Sequence, residues 1–156
     1  MFAGFNHVCI VTGDLDRAVR TWSDRYGVGP WKLWTKDPSN MSAEFAMRVA
    51  LCNLSPTARI ELIQPLDEAS PYAASLARHN GADHVHHLRF EVDDYADARG
   101  RLVGLGLDVV FDAAFAGVDS SLTATYFSTE NDLGFLLEIA DAPGNFAMPE
   151  PELVYP

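Results

Sequence analysis

Hydrophobic and polar residues follow the same order of patterns twice along the chain. The first copy begins with a stretch rich in β-formers, Phe5 to Val11, and continues from Asp14 with apolar residues three or four positions apart as far as Tyr26. This change of period predicts a strand and then a helix that is capped by Asp14 and ends at Gly27. Strand-like segments follow at residues 31–35, 45–51 and 59–63, so the first half is a predicted βαβββ unit.

A second copy follows a short connector. Ser70-Pro71 predicts the start of a helix that ends near His79. Residues 85–92 predict a strand, and the apolar positions after Asp93-Asp94 predict a helix that ends at Gly106. Strand candidates at residues 108–111, 122–128 and 135–139 complete another βαβββ unit. The predicted fold class is therefore α+β, with two βαβββ modules in tandem.

The length and the repeat together predict a single domain over residues 1–156. We place the first module at residues 5–66, a helical connector at 67–83, the second module at 84–141 and a tail at 142–156. The tail contains Pro149, Pro151 and Pro156, so we expect it to form no regular element. It is expected to lie across the body or a partner subunit.

Chemically matched residues occupy matched positions in the two copies. When His7 is aligned with His87, the spacing from His to Glu is 54 residues in the first half and 51 in the second. Random core composition rarely places matched residues in this way. Because side chains alternate along a strand, these groups are predicted to share one concavity. The predicted metal ligands are His7, Glu61, His87 and Glu138, which we call the His/Glu cluster.

Two imidazoles and two carboxylates suit a divalent ion, with Zn, Ni, Co, Fe and Mn as the candidates. Each residue alone has a structural alternative, since a single His near a strand start is more often a hydrogen-bonded core or surface residue. The carboxylates of Glu61 and Glu138 lie within apolar runs, where burial is costly unless a cation compensates the charge. Neither a phosphate-binding loop nor a Ser/His/Asp signature is found.

The other histidines are predicted to contribute less. Alternation places His86 on the strand face opposite His87, toward the helices, which makes it the weaker ligand candidate. His79 lies at a predicted helix end and His84 precedes a strand, so both are predicted to be solvated or capping residues.

Charge and cysteine content exclude several classes of protein. Eleven basic residues against 22 acidic ones give a net charge of -11, which repels a phosphate backbone, so we expect no nucleic-acid partner. The sequence has no secretory signal pattern and no apolar run of about 18 residues, so we expect a cytoplasmic protein without a membrane segment. Cys9 and Cys52 lie in apolar stretches and are predicted to be buried free thiols.

Several short motifs together carry a resemblance to a known superfamily. They are Asn6-His7-Val8, residues 60–66, Arg78-His79-Asn80-Gly81, residues 86–94 and Leu136-Leu137-Glu138-Ile139. From residue 5 to 141 the sequence resembles the vicinal oxygen chelate superfamily, and these motifs are most similar to those of methylmalonyl-CoA epimerases. The resemblance implies that the modules curl into a half-barrel around a metal held by the His/Glu cluster. The epimerases carry Gln at the second ligand, whereas Glu61 is more similar to glyoxalase I.

The function that this resemblance implies is a metal-dependent epimerase or isomerase that removes a proton next to a carbonyl and forms a metal-stabilised enolate. Glu138 is the expected base. Glu44, 17 residues before Glu61, has the spacing of a second catalytic carboxylate, and a solvated strand-edge residue is an equal alternative. The expected substrate is a small acyl compound, such as a 2-substituted malonyl thioester of CoA. A homodimer is expected.

Three other functions stay open at this point. A glyoxalase I-like lactoylglutathione lyase would isomerise a thiohemiacetal instead. A non-heme iron ring-cleavage dioxygenase needs a face of two His and one carboxylate, and a fourth ligand leaves less room for oxygen and substrate. A metal-free binding protein similar to bleomycin-resistance proteins would use Trp31, Trp34 and Tyr126 for stacking contacts.

Overall fold

The computed structural model describes residues 2–40, 43–142, 144 and 146–156. Its strands are β1 (Phe2–Val11), β2 (Trp31–Lys36), β3 (Met47–Asn53), β4 (Arg59–Pro65), β5 (His84–Val92), β6 (Val109–Ala116), β7 (Ser121–Phe127), β8 (Leu136–Asp141) and β9 (Leu153–Tyr155). Its helices are α1 (Leu15–Arg20), α2 (Pro71–Arg78), α3 (Tyr95–Gly104) and α4 (Glu130–Leu133). A π-helical turn, Thr21–Arg25, extends α1, and a 3₁₀ turn covers Pro38–Asn40.

The strands form one mixed sheet in the order β6-β7-β8-β5-β1-β4-β3-β2-β9. Its centre is the antiparallel pair β1 and β5, and each of these strands has a parallel neighbour on its other side, β4 for β1 and β8 for β5. The two halves are therefore related by an approximate twofold arrangement about the central pair. The described residues form an open sheet of nine strands, not a closed barrel, which confirms the predicted α+β class with its curled mixed sheet.

Helix ends follow the signals in the sequence. The side chains of Asp14, Ser70 and Asp94 each accept a hydrogen bond from a backbone N–H in the first turn of their helices. Gly27 and Gly106 follow helices with φ of 67° and 88°, a left-handed conformation that glycine adopts without strain. Within the described residues, no helix is long and apolar enough to cross a bilayer.

The helices α1 and α3 cover one face of the sheet. Leu15, Ala18 and Val19 of α1 pack against strand residues such as Trp31 and Leu62. On the other half, α3 packs through Ala98 and Leu102 against the same face of β7 and β8. Because strand residues alternate in direction, the remaining positions of the strands face the opposite side. That side carries the functional candidates.

The tail differs from its prediction. We expected no regular element after residue 141, yet Leu153–Tyr155 forms β9, an edge strand that pairs antiparallel with β2. Three residues suffice at an edge, and the prolines at 151 and 156 lie outside the paired segment. Between β7 and β8, residues 130–133 form the one-turn helix α4, which ends at Gly134 with φ of 82°.

Candidate metal centre

The His/Glu cluster converges at one point on the open face of the sheet. The Nε2 atoms of His7 and His87 lie 3.1 Å apart. Glu138 Oε2 lies 2.9 Å from His87 Nε2 and 3.3 Å from His7 Nε2. Glu61 Oε2 approaches the same two nitrogens at 3.4 and 3.5 Å. Four ligand-type atoms of four strands therefore surround a single position.

The register of the four central strands produces this convergence. On β4, Glu61 is paired with Cys9, which lies two residues beyond His7 on β1. On β8, Glu138 is paired with Arg89, which lies two residues beyond His87 on β5. Both modules thus place the Glu diagonally opposite the His on a parallel neighbour, with the two side chains on one face. The central β1 and β5 pair then brings the two halves of the cluster together.

A β-bulge precedes each histidine of the cluster. The pairing of β1 with β5 shifts between Phe5 and His7, which leaves Asn6 as an extra residue on β1. It shifts again between Cys9 and Ile10, which leaves His86 as the extra residue on β5. A bulge turns its residue away from regular alternation. Asn6 and His86 are therefore free to contact the histidine that follows each of them.

Those contacts fix the ring nitrogens that face away from the cluster. His7 Nδ1 lies 2.9 Å from Asn6 Oδ1, an atom that accepts only, so His7 donates from Nδ1. His87 Nδ1 lies 2.8 Å from Nδ1 of His86. Asn6 in turn donates from Nδ2 to Glu91 Oε1. With Nδ1 occupied in this way, Nε2 of each histidine is the nitrogen left for a cation.

The centre is buried and its charges are strongly coupled. His87 is fully buried, and Glu138 and His7 are 2% and 5% exposed. Burial by itself raises the pKa of Glu138, but the charges of His87 and His7 beside the carboxylate outweigh it and lower the pKa. Burial lowers the pKa of His87, but the carboxylate of Glu138 beside it outweighs burial and raises the pKa well above its usual value. Without a cation, His87 and Glu138 form a buried ion pair.

The cluster fits a divalent cation. Glu138 Oε2 is buried and has no hydrogen-bond partner among the described residues, a costly state for a carboxylate oxygen. Nε2 nitrogens and carboxylate oxygens are ligands that borderline divalent ions accept. The atoms of His7, Glu61 and His87 that would bind lie within 4.8 Å of one another, a spacing that suits ligands around one ion. An ion there would satisfy the free oxygen and neutralise both carboxylates.

The cluster lies at the base of a cleft of about 610 Å³, counting its open mouth. Most of the walls are apolar and come from strands of both halves and from Phe146 and Met148 of the tail. Two tyrosines, Tyr72 and Tyr126, also line it, with their hydroxyl oxygens 3.1 Å apart. The cationic wall residues are Lys36, Arg59 and Arg89. The cleft therefore offers apolar contacts together with positive charge.

The chain matches a known superfamily over a segment that contains most of the His/Glu cluster. The sequence pattern of the glyoxalase/bleomycin resistance protein/dioxygenase superfamily matches residues 6–126, which include three residues of the His/Glu cluster. The chain belongs to this superfamily. Its members bind divalent metals, which agrees with the geometry of the cluster.

Individual relatives within the superfamily are epimerases. The chain is 34% identical over 110 residues to an ethylmalonyl-CoA/methylmalonyl-CoA epimerase of Cereibacter sphaeroides, a match that covers 70% of this chain and 76% of the relative. A crystal structure of methylmalonyl-CoA epimerase from Mycobacterium tuberculosis matches with a TM-score of 0.67 and 26% identity, over 91% of this chain and 90% of that one. These matches confirm the expected enzyme class, an epimerase or isomerase, and do not favour the three alternatives.

A third relative supports the fold alone. A variant of the Streptomyces coelicolor methylmalonyl-CoA epimerase, in complex with 2-nitronate-propionyl-CoA, matches with a TM-score of 0.65 and 21% identity. The match covers 90% of this chain and 97% of that chain. The shared fold therefore extends over nearly the whole of both chains.

Most of the other residues predicted to take part in catalysis or ligand binding lie away from the cleft. Glu44 is exposed at a bend before β3 and does not line the cleft. Trp31 is buried against α1, on the helix side of the sheet. Trp34 is buried and donates from Nε1 to the carbonyl of Pro149, beside an outer groove under the tail. Of the three aromatic candidates, Tyr126 alone lines the cleft among the described residues.

The prediction that His86 points away from His87, toward the layer of α1 and α3, is wrong. Its ring centroid lies 5.1 Å from that of His87 and 5.0 Å from that of Tyr72, a residue of the cleft wall. The bulge is the physical reason, because alternation holds only where each residue has a partner. His79 and His84 lie outside the site, where their rings stack at 3.6 Å.

Sequence reasoning missed several neighbours of the cluster. Cys9, a free thiol as predicted, lies beside His87 and Glu61, and burial raises its pKa to about 12, so it stays protonated. Asn6 and Lys36 were also missed. The position of Asn6 directly before His7, which mirrors His86 before His87, was a signal available in the sequence.

Proposed function

We propose that this protein is a divalent-metal-dependent epimerase of malonyl-type acyl-CoA thioesters, such as methylmalonyl-CoA. The observation that carries the proposal is the convergence of two imidazoles and two carboxylates at the base of an apolar cleft. The 34% identical relative named for ethylmalonyl-CoA and methylmalonyl-CoA supports this substrate class. The proposed ligands of the metal are the four residues of the His/Glu cluster.

Glu138 is the proposed proton acceptor. Its lowered pKa keeps the carboxylate ionised at neutral pH, so it can accept a proton. A buried acceptor next to the acidic C–H removes the proton without competition from water. The bound ion would supply positive charge next to the carbonyl oxygen, where negative charge develops. Return of this proton by Glu138 would only regenerate the starting epimer. Epimerisation therefore needs a second, protonated group that donates its own proton to the opposite face, after which Glu138 would lose the abstracted proton to solvent.

Glu44 is the proposed second proton carrier on the opposite face of the substrate. This role rests on its spacing from Glu61, and the exposed position at the bend before β3 would require this segment to turn inward. Replacement by glutamine separates the alternatives. If Glu44 carries the second proton, E44Q slows epimerisation while exchange of the substrate proton through Glu138 continues in one epimer. If Glu44 is only a solvated surface residue, E44Q leaves the rates of epimerisation and of proton exchange unchanged.

The decisive experiment is proton exchange. Metal-loaded protein is incubated with methylmalonyl-CoA in deuterated water, and incorporation at C2 is followed by mass spectrometry. We expect exchange with the loaded wild type, and none above background with E138Q. E130Q is the matched control, since Glu130 is an exposed glutamate of α4 that does not line the cleft. Absence of exchange with loaded wild-type protein would contradict the proposal for this substrate.

Metal identity is part of the proposal and needs its own measurement. The ligand set accepts Zn, Ni, Co, Fe or Mn, and elemental analysis of protein purified without chelator distinguishes them. One equivalent of metal in the wild type and loss of it in a His87→Ala variant is the expected result. A wild-type protein that binds none of these ions would leave the cluster as a buried ion pair and remove the catalytic proposal.

A further inference from the structure

Lys36 is a buried cation on the wall of the cleft. It is the last residue of β2 and is 4% exposed, although Lys32, the only other lysine of the chain, is exposed on the same strand. Its ammonium lies 5.9 Å from the ring centroid of Phe115, which stands on the edge strand of the other half. Lys36 therefore projects across the cleft rather than into solvent.

Within the described residues this charge is compensated only in part. No carboxylate of the described residues forms an ion pair with the Lys36 ammonium, and the aromatic face of Phe115 compensates it only in part. Burial lowers the pKa of Lys36, and the opposing effect of the Glu61 charge is smaller. A buried charge without a counterion is destabilising. Its presence in a ligand-sized cleft indicates that the ligand brings the counterion.

The charges of the occupied centre lead to the same conclusion. Two neutral imidazoles, two carboxylates and one divalent ion sum to zero, so the metal-loaded cluster does not neutralise Lys36. Arg89 has a partner, since its guanidinium lies 3.7 Å from the carboxylate of Glu91. The cleft thus keeps a net positive charge that favours an anionic group on the ligand.

We propose that Lys36 binds the free carboxylate of the acyl group and makes the site select malonyl-type thioesters over monocarboxylic ones. The inference rests on the proposed function and adds the residue that sets its specificity. A charge-assisted hydrogen bond in a dry cleft favours the ligand that carries the carboxylate. The apolar walls, including Val49 and Leu122, would contact the alkyl substituent and give no such preference.

Equilibrium binding tests this inference without turnover. Cobalt-loaded protein is titrated calorimetrically with methylmalonyl-CoA and with propionyl-CoA, which lacks the free carboxylate, and the ratio of the two Kd values is compared between variants. K36M is expected to reduce the wild-type preference for methylmalonyl-CoA by about 10- to 100-fold, the range for a hydrogen bond to a charged group. K36R should retain most of the preference, and K32M should leave the ratio unchanged.

The outcomes are distinguishable from those of the exchange experiment. Wild-type exchange together with a wild-type Kd ratio in K36M would overturn the role of Lys36 and leave the proposed function intact. A wild-type protein that binds neither thioester would overturn both. A wild-type protein that exchanges the C2 proton but binds the two thioesters with equal Kd would overturn the role of Lys36 alone. If K36M does not fold, K36Q takes its place, with near-UV circular dichroism and cobalt content as the criteria of an intact site.

Discussion

Asn6 orients a histidine of the cluster, because its Oδ1 accepts a hydrogen bond from His7 Nδ1 at an N···O distance of 2.9 Å. Replacing Asn6 by alanine leaves His7 free to rotate and to take the other tautomer. We expect N6A to weaken divalent-metal binding by about 10- to 100-fold, the usual effect of losing such a partner. Competition with a chromophoric chelator measures the affinity.

The control for N6A is N131A, which removes an exposed asparagine of α4. It should bind metal as the wild type does. If N6A bound metal with wild-type affinity, the hydrogen bond to His7 would have no orienting role. A merely structural role would lower thermal stability in the metal-free protein while leaving the affinity of the folded protein unchanged.

His87 makes metal binding depend on pH. Its pKa is raised well above the usual value in the metal-free protein, so the ring holds a proton at neutral pH that a cation must displace. Affinity is therefore expected to rise with pH, by about tenfold per unit below that pKa, and to level off above it. Calorimetry in buffers of different ionisation enthalpy should detect release of a proton on binding. Equal affinity at pH 6 and pH 8 would contradict the expectation.

Among the elements, the tail is held against both edges of the sheet. On one side β9 pairs with β2, and on the other the N–H of Val118, in the turn between β6 and β7, donates to the carbonyl of Ala147 at 2.9 Å. Gly117 permits this approach, because a Cβ there would lie 2.6 Å from that carbonyl oxygen and 2.9 Å from the Phe146 ring. The tail thereby becomes a wall of the cleft.

We therefore expect G117A to release residues 146–148 from the body and to destabilise the fold by about 1–3 kcal/mol, as overpacking does. Faster hydrogen exchange at the Val118 amide would report the release. G100A is the matched control, since a Cβ at Gly100 in α3 meets nothing within 4 Å and should stabilise the helix by about 0.5–1 kcal/mol. Equal exchange rates at Val118 in G117A and wild type would contradict this account of the tail.

The elements also show which features the sequence predicts well. Helix caps such as Asp14 and Asp94 are local signals that the sequence displays directly. The repeated spacing of His and Glu likewise predicts that the four residues of the His/Glu cluster lie together, as they do. The bulge at His86 was missed because it arises from pairing between β1 and β5, some 80 residues apart in sequence. The position of Lys36 was missed for a similar reason. Alternation along β2 defines the face of the sheet on which Lys36 lies, but it does not define whether that face is exposed to solvent.

At the scale of the whole molecule, the two halves form one continuous sheet. The β1 and β5 pair joins them, and a bridge between Ala43 and Phe115 links the segment before β3 to the far edge strand across the cleft. The sheet therefore curls toward closure without forming a barrel. Each half supplies one histidine and one glutamate to the cluster, so neither half holds a complete metal site. The boundaries of the modules and the homodimer stay predictions.

This division of the ligands predicts how the protein unfolds. Because the halves share the central strand pair, thermal unfolding is expected to be one cooperative transition, coincident by circular dichroism and by tryptophan fluorescence. Metal at about 100 times its Kd should stabilise the fold by about 2.7 kcal/mol, which for a domain of this size raises Tm by about 5–11 °C. E138A should lose this shift and E130Q should keep it. Two separate transitions, or a shift that survives in E138A, would show that the cation does not connect the two halves through the cluster.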